Sequence, residues 1–239
     1  MDLGIAGRVA LVTAASKGLG LASARALAEE GAKVVICARG EEALAAAEAQ
    51  LATLTDVLAI PDDVTEPEAA ARLVEAAVLR FGRLDIVVAN AGGPPAGRAL
   101  DVTDAQLLAA LNSNLLTSVR LVRESVPHMR NQGWGRICLL TSSSIKQPIA
   151  TLALSNAART GLWAWAKTAA TDLFDDGITL NLACPGLHDT ERMQALTLEG
   201  PRGDPADFGR VVAFMCSEPA KFMSGSTVLV DGARAVGLV

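Results

Sequence analysis

Tyrosine is absent from this chain of 239 residues. Whatever proton chemistry the protein performs, no phenol with a pKa of about 10 takes part in it. Histidine is scarce as well, present only as His128 and His188. The four cysteines, Cys37, Cys138, Cys184 and Cys216, are scattered without a Cys-x-x-Cys pair, and each lies in an apolar segment. So few ligands, so spread, give no expectation of a zinc or other metal site. The thiols read as buried and reduced, as in a cytoplasmic protein. No apolar run approaches the roughly 20 residues needed to span a bilayer. The N-terminus has an acid at position 2 and lacks the basic-then-apolar order of a secretory signal. Positive charge is not in excess: the formal net charge is −5, which argues against nucleic acid or an anionic membrane as partner.

Apolar residues, by contrast, are plentiful. At 51% of the chain they suffice for one large buried core. Short apolar runs alternate with longer helical patterns from end to end. Strands are expected at 8–13, 33–37, 57–60, 85–89, 136–141, 178–184 and 227–230. Helices are expected at 18–30, 41–52, 67–81, 104–129, 151–174 and 205–217. The strand runs are continuous rather than alternating in polarity, as in strands covered on both faces. Repeated strand–helix alternation implies an α/β fold, a Rossmann-type doubly wound parallel sheet of about seven strands with helices on both faces. With no long linker or low-complexity segment, one domain is expected to cover residues 1–239.

The first strand runs into Thr13-Ala14-Ala15-Ser16-Lys17-Gly18-Leu19-Gly20 and then into a helix. Gly18 and Gly20 let backbone approach a pyrophosphate, and the helix N-terminus offers amide donors and a partial positive charge. Four further stretches follow in order: Asp62-Asp63-Val64, Asn90-Ala91-Gly92, Pro185-Gly186 with Thr190, and Gly225…Val230-Asp231-Gly232. Asn90 and Asp63 are also residue types that make turns and cap helices. In order and spacing, these stretches resemble the short-chain dehydrogenase/reductase family over essentially the whole chain. The resemblance implies that the glycine loop holds a pyrophosphate, that Asp63 contacts adenine, that Asn90-Ala91-Gly92 supports the fourth strand near the cofactor, and that Pro185, Gly186 and Thr190 meet the nicotinamide. The family usually has glycine at position 14; alanine is expected to fit there with negative φ.

The end of the second strand bears on the cofactor. An acid there would bind a ribose 2′-hydroxyl, whereas an arginine accepts a 2′-phosphate. Here the sequence is Cys37-Ala38-Arg39-Gly40, and Lys17 adds a second cation nearby. The expected cofactor is therefore NADP(H).

The family's reduction chemistry uses an asparagine, a serine, a tyrosine and a lysine. Asn114 and Ser142 match the first two. Where the family has Tyr-x-x-x-Lys, this chain has Ser155-Asn156-Ala157-Ala158-Arg159. An aliphatic hydroxyl is a far weaker acid than phenol. Arg159 can hold ribose hydroxyls and stabilise an alkoxide, yet it does not readily shuttle protons. In this the chain resembles a subgroup described as 3-oxoacyl-acyl-carrier-protein reductase-like, which carries Gly-Gly-Pro after the Asn-Ala turn (Gly92-Gly93-Pro94), Ser-Asn at the tyrosine position and a lysine after the serine (Lys146). Three groups are candidates to replace the phenol: Lys146 if desolvated, His188 beside the expected nicotinamide position, and a water relayed through Asn114. The short segment from Glu191 to Pro205 predicts a more open site than the family's longer lid.

These observations imply an NADP(H)-dependent oxidoreductase acting on a small-molecule or acyl carbonyl substrate. A non-catalytic NADP(H)-binding sensor or scaffold is the alternative that the missing tyrosine favours. The helix bearing Trp163 and Trp165 forms a dimer interface in the family, which implies a homodimer or homotetramer. No basic patch stands out to dock an acidic acyl carrier protein.

Overall fold

The computed structural model describes residues 1–195 and 199–237. Seven strands, β1 (Val9–Thr13), β2 (Lys33–Ala38), β3 (Val57–Pro61), β4 (Ile86–Ala89), β5 (Gly135–Leu140), β6 (Ile178–Pro185) and β7 (Thr227–Val230), form one sheet in the order β3-β2-β1-β4-β5-β6-β7. Every pairing is parallel. The helices are α1 (Gly18–Glu29), α2 (Glu41–Leu51), α3 (Ala69–Phe81), α4 (Asp104–Leu111), α5 (Thr117–Gln132), α6 (Ala153–Phe174), α7 (Glu191–Ala195) and α8 (Pro205–Met215).

The continuous apolar runs have a direct packing consequence. Along β1, Val9 and Leu11 enter one core with residues of α3, α5 and α6, while Ala10 and Val12 enter a second core with residues of α1, α2 and α8. Val87 and Val88 of β4 divide in the same way. Strands buried on both faces need apolar residues at every position, which removes the alternation. Each fully buried Val, Leu or Ile contributes about 1.5–3 kcal/mol.

Local signals set the ends of the helices. Thr103 and Gln106 form a reciprocal capping box before α4. Asp204 accepts from Ala206 N–H at 2.8 Å, with Pro205 opening α8. The stretch expected as one helix over 104–129 is instead α4, a π-helical turn at Asn112–Leu116, and α5. Side chains compete for backbone there: Ser113 Oγ donates to Ala110 O and Thr117 Oγ1 to Ser113 O. Asn112 Nδ2 also donates to Thr65 O and Arg120 Nη1 to Asn112 Oδ1, anchoring the widened turn.

The strand order reverses between β1 and β4. In open α/β sheets the cleft at that switch point, beyond the carboxyl ends of the strands, is where ligands bind. Among the described residues, no helix is long and apolar enough to cross a membrane, and no group of three or more potential ligands gathers as a metal site. All four cysteines are buried and unpaired.

Candidate active site

A cavity of about 1600 Å³ lies at the switch point. That exceeds the roughly 300–1,000 Å³ of an ordinary small-molecule site and gives room for a dinucleotide plus a substrate. Its walls include Ser16, Lys17, Gly18 and Leu19 from the glycine loop, Arg39 after β2, and Asp63 and Val64 after β3. They continue through Asn90, Ala91 and Gly92 after β4 to Ser142, Ser155 and Arg159, and close with Pro185, Gly186, His188 and Thr190 after β6.

The glycine loop is held from below by Thr13 and Ala15, which do not line the cavity, together with Asn90, which does. Thr13 Oγ1 donates to Asn90 O at 2.7 Å, while Asn90 N–H donates to Thr13 Oγ1 at 2.9 Å. Asn90 Nδ2 donates to Ala14 O at 3.2 Å. Ala15 is buried and its N–H donates to Cys37 O at 3.0 Å. Gly20 is required by close approach, because a Cβ there would lie 2.4 Å from Ala14 O. The expectation of negative φ at position 14 is corrected: Ala14 has φ +49°, the left-handed region that family members fill with glycine.

The charged side chains are less free than the sequence implied. Lys17 forms an ion pair with Glu191, across the cleft at the start of α7. Arg39 is 76% exposed at the cavity edge and stands 3.7 Å from Asp63 Oδ2. Asp63 Oδ1 accepts from Thr65 N–H and its hydroxyl, at 3.0 and 2.8 Å. The Thr65 N–H, its hydroxyl and Arg39 hold the Asp63 carboxyl below the usual carboxylate range. Asp62 is bound by Arg72 at 2.7 and 2.9 Å.

At the other end, Ser142 Oγ accepts from Ser144 N–H at 3.1 Å. Ser155 is buried, with no hydrogen bond to its hydroxyl among the described residues. Arg159 is buried too, its Nη1 donating to Leu140 O at 2.8 Å and Thr141 O at 3.2 Å. Burial, then the charge of Arg192, brings Arg159 down to about 10, so it stays protonated at neutral pH. Asn114 sits in the π-helical turn behind the cavity wall. Its Nδ2 donates to Ser113 Oγ at 2.7 Å, and its buried Oδ1 has no partner among the described residues.

One candidate proton donor, Lys146, is placed differently from expectation. Lys146 does not line the cavity: its Nζ lies 3.9 Å from the centroid of the Trp163 ring, which draws it away by a cation–π contact. His188 lines the cavity beside Pro185 and Gly186, where it was expected, and is buried. It packs edge-on against Phe208 and its Nδ1 lies 3.4 Å from Gly186 O. Burial lowers its pKa below the ordinary value, so the ring is neutral at pH 7.

The segment after Thr190 makes contact across the cleft. Its first residues form α7, and Arg192 Nη2 reaches Pro94 O at 2.9 Å on the opposite wall. Residues 196–198 of this segment lie outside the described residues. Arg192 was not visible as a site residue in the sequence. The signal was at Gly93, where a Cβ would lie 2.3 Å from Arg192 Nη2, but no spacing rule links the two positions. Trp163 and Trp165 both pack against the core.

Parallel sheet, switch-point cleft and glycine loop define a Rossmann-type α/β protein. Comparison with known proteins makes the assignment narrower. The model of the enoyl-(acyl carrier protein) reductase family matches residues 13–233. Dehydrogenase/reductase SDR family member 4 of Sus scrofa is 33% identical, with 95% of this chain and 87% of the relative covered. Versicolorin reductase 1 of Aspergillus parasiticus is 34% identical over 95% of both chains. L-sorbose reductase from Gluconobacter frateurii, solved in complex with NADPH and L-sorbose, superposes with a TM-score of 0.91 at 31% identity, over 97% of this chain and 98% of its own. The chain belongs to the short-chain dehydrogenase/reductase family.

Proposed function

We propose that the protein is an NADP(H)-dependent oxidoreductase that interconverts a carbonyl and an alcohol, as 3-oxoacyl-acyl-carrier-protein reductases do, with hydroxyls and an arginine where a phenol and lysine are usual. The observation that carries this reading is the continuity of one cavity from the glycine loop to Ser142, Ser155 and Arg159.

The residues fit a dinucleotide. α1 begins after Lys17 with no side-chain cap and no acid in its first turn, leaving amide N–H groups and the positive helix end for an anion. Ser16, Lys17, Gly18 and Leu19 would hold the pyrophosphate, Arg39 the 2′-phosphate, and Asp63 and Val64 the adenine. Asn90, Ala91 and Gly92, with Pro185, Gly186 and Thr190, would flank the nicotinamide half, and Arg159 its ribose. Bound there, NADP(H) supplies or accepts a hydride. The NADPH in the L-sorbose reductase complex supports this choice.

The remaining chemistry falls to the chain. Ser142 Oγ already accepts a backbone N–H, so its own O–H is left to donate to a substrate oxygen. Ser155 offers a second O–H, and Arg159, fixed by two carbonyls, holds a positive charge behind them. As a C–H bond forms at the carbonyl carbon, the π-electron pair moves onto oxygen, where these donors stabilise it. The proton that completes the alcohol comes from solvent. Ser113, which lines the cavity and accepts from Asn114, joins that route to the π-helical turn. Ser142→Ala and Ser155→Ala should each lower kcat by about 10²-fold with NADPH affinity kept, while Lys146→Met leaves turnover intact. Undiminished turnover in both serine variants would contradict this site.

The absence of tyrosine favours a second reading, a non-catalytic NADP(H)-binding sensor or scaffold. Tight NADPH binding without turnover of any carbonyl would select it. In either case a homodimer or homotetramer is proposed.

A further inference from the structure

The substrate end of the cavity carries a charge pattern that hydride transfer alone does not require. Arg192 leaves α7, crosses the cleft and donates from Nη2 to Pro94 O. This occupies one edge of the guanidinium, and its other N–H groups have no partner among the described residues. Arg159 approaches the same cavity from α6, buried and bonded only to backbone carbonyls. Neither has a carboxylate partner among the described residues. Five of the six acids on the cavity wall pair with other cations, Glu191 with Lys17, Asp189 with Arg202 at 3.5 Å, Asp62 with Arg72, Asp63 with Arg39 and Glu29 with Arg25, and the sixth, Asp204, caps α8.

Arg159 is a buried cation, costly unless an opposite charge meets it, whereas Arg192 is exposed, with its guanidinium at the cavity mouth. Burial lowers the pKa of both guanidinium groups, and Arg192 lowers that of Arg159 further. Ser142, Ser155 and Gln147, which line the same cavity, are polar and neutral. An anion is thus the missing component of this end of the cavity. Gly93 keeps Arg192 in place, since any side chain there would displace the guanidinium.

We propose that the substrate is a short oxo acid whose carboxylate is held by the free edge of Arg192, in the positive field of Arg159. The carbonyl part rests on the oxidoreductase reading above; the carboxylate site does not. A guanidinium edge matches a carboxylate with paired charge-assisted hydrogen bonds. A neutral ester or thioester of the same acid has no anion to offer it. Arg192 thereby becomes the residue that sets substrate class.

The test uses two matched pairs with NADPH: acetoacetate against methyl acetoacetate, and pyruvate against methyl pyruvate. In the wild-type protein at least one acid should exceed its ester in kcat/KM by about 10²-fold, the ratio that one charged hydrogen-bond contact supplies. Arg192→Leu should erase that preference, mainly through KM, with NADPH affinity unchanged, and Arg192→Lys should restore part of it. Esters reduced as well as acids, or a preference that survives in Arg192→Leu, would overturn the proposal. Calorimetry of acetoacetate and pyruvate, with and without NADP⁺, decides the matter if no pair turns over. Carboxylate binding lost in Arg192→Leu supports the proposal, and no binding, or equal binding to both proteins, refutes it. Failure of NADPH itself to bind would sink the oxidoreductase reading alone, because the carboxylate titrations are also read on the cofactor-free protein.

Discussion

Ala14 occupies a backbone position with φ +49°, and its carbonyl accepts from Asn90. An L-residue in the left-handed region costs roughly 1–2 kcal/mol, which glycine avoids. Ala14→Gly should therefore raise the denaturant midpoint by about 1 kcal/mol in stability, after allowing for the greater freedom of glycine in the unfolded chain. An unchanged or lowered midpoint would show that the loop does not carry this strain. Arg39 is the proposed residue-scale determinant of cofactor choice. It is exposed, close to Asp63 and at the cavity edge. Arg39→Asp should shift the ratio of NADPH to NADH affinity toward NADH; an unchanged ratio would remove Arg39 from that role. The sequence showed which residues stand in the loop, yet not the sign of φ at position 14. That sign depends on how β1 and β4 jointly hold the turn, through Thr13 and Asn90.

At the scale of elements, the strands were legible because burial on both faces forces unbroken apolar runs. The π-helical turn at Asn112–Leu116 was not, since helical periodicity passes through it with little change. Its cause lies in side chains bonding to backbone and to Thr65, far away in sequence. α7 was missed for a similar reason: its placement depends on contacts to Lys17 and Pro94 across the cleft. The link from β6 to α8 offered His188 only as a candidate proton donor. In the fold His188 pins it, buried against Phe208, with burial depressing its pKa from the ordinary 6.5. The unfolded chain then takes up the proton first. The stability contributed by the neutral ring is complete above a pH of about 6.5 and is lost as the pH falls below it. The difference in denaturant midpoint between wild type and His188→Gln should shrink steadily on acidification from pH 7.5 to 5. A difference independent of pH would mean that the ring is not held neutral.

At the scale of the whole molecule, one sheet brings together residues from every region of the chain at a single switch-point cleft. That the glycine loop, Arg39, Asp63 and Asn90 gather at that cleft was legible because they belong to short contiguous motifs at strand ends. The substrate half was legible only in part. Lys146 looked like a site residue by sequence distance from Ser142, but Trp163 claims it; Arg192 looked ordinary, but it crosses the cleft. Both outcomes depend on tertiary contacts that no local pattern encodes. The central claim is that the cleft binds NADP(H), and calorimetric titration of the purified protein with NADPH, with NADH in comparison, tests it most directly. The account predicts NADPH binding at about 1 μM or tighter, equivalent to about −8 kcal/mol, and weaker binding of NADH. Absence of binding for both nucleotides would contradict it, and the cavity would then have to serve a different ligand.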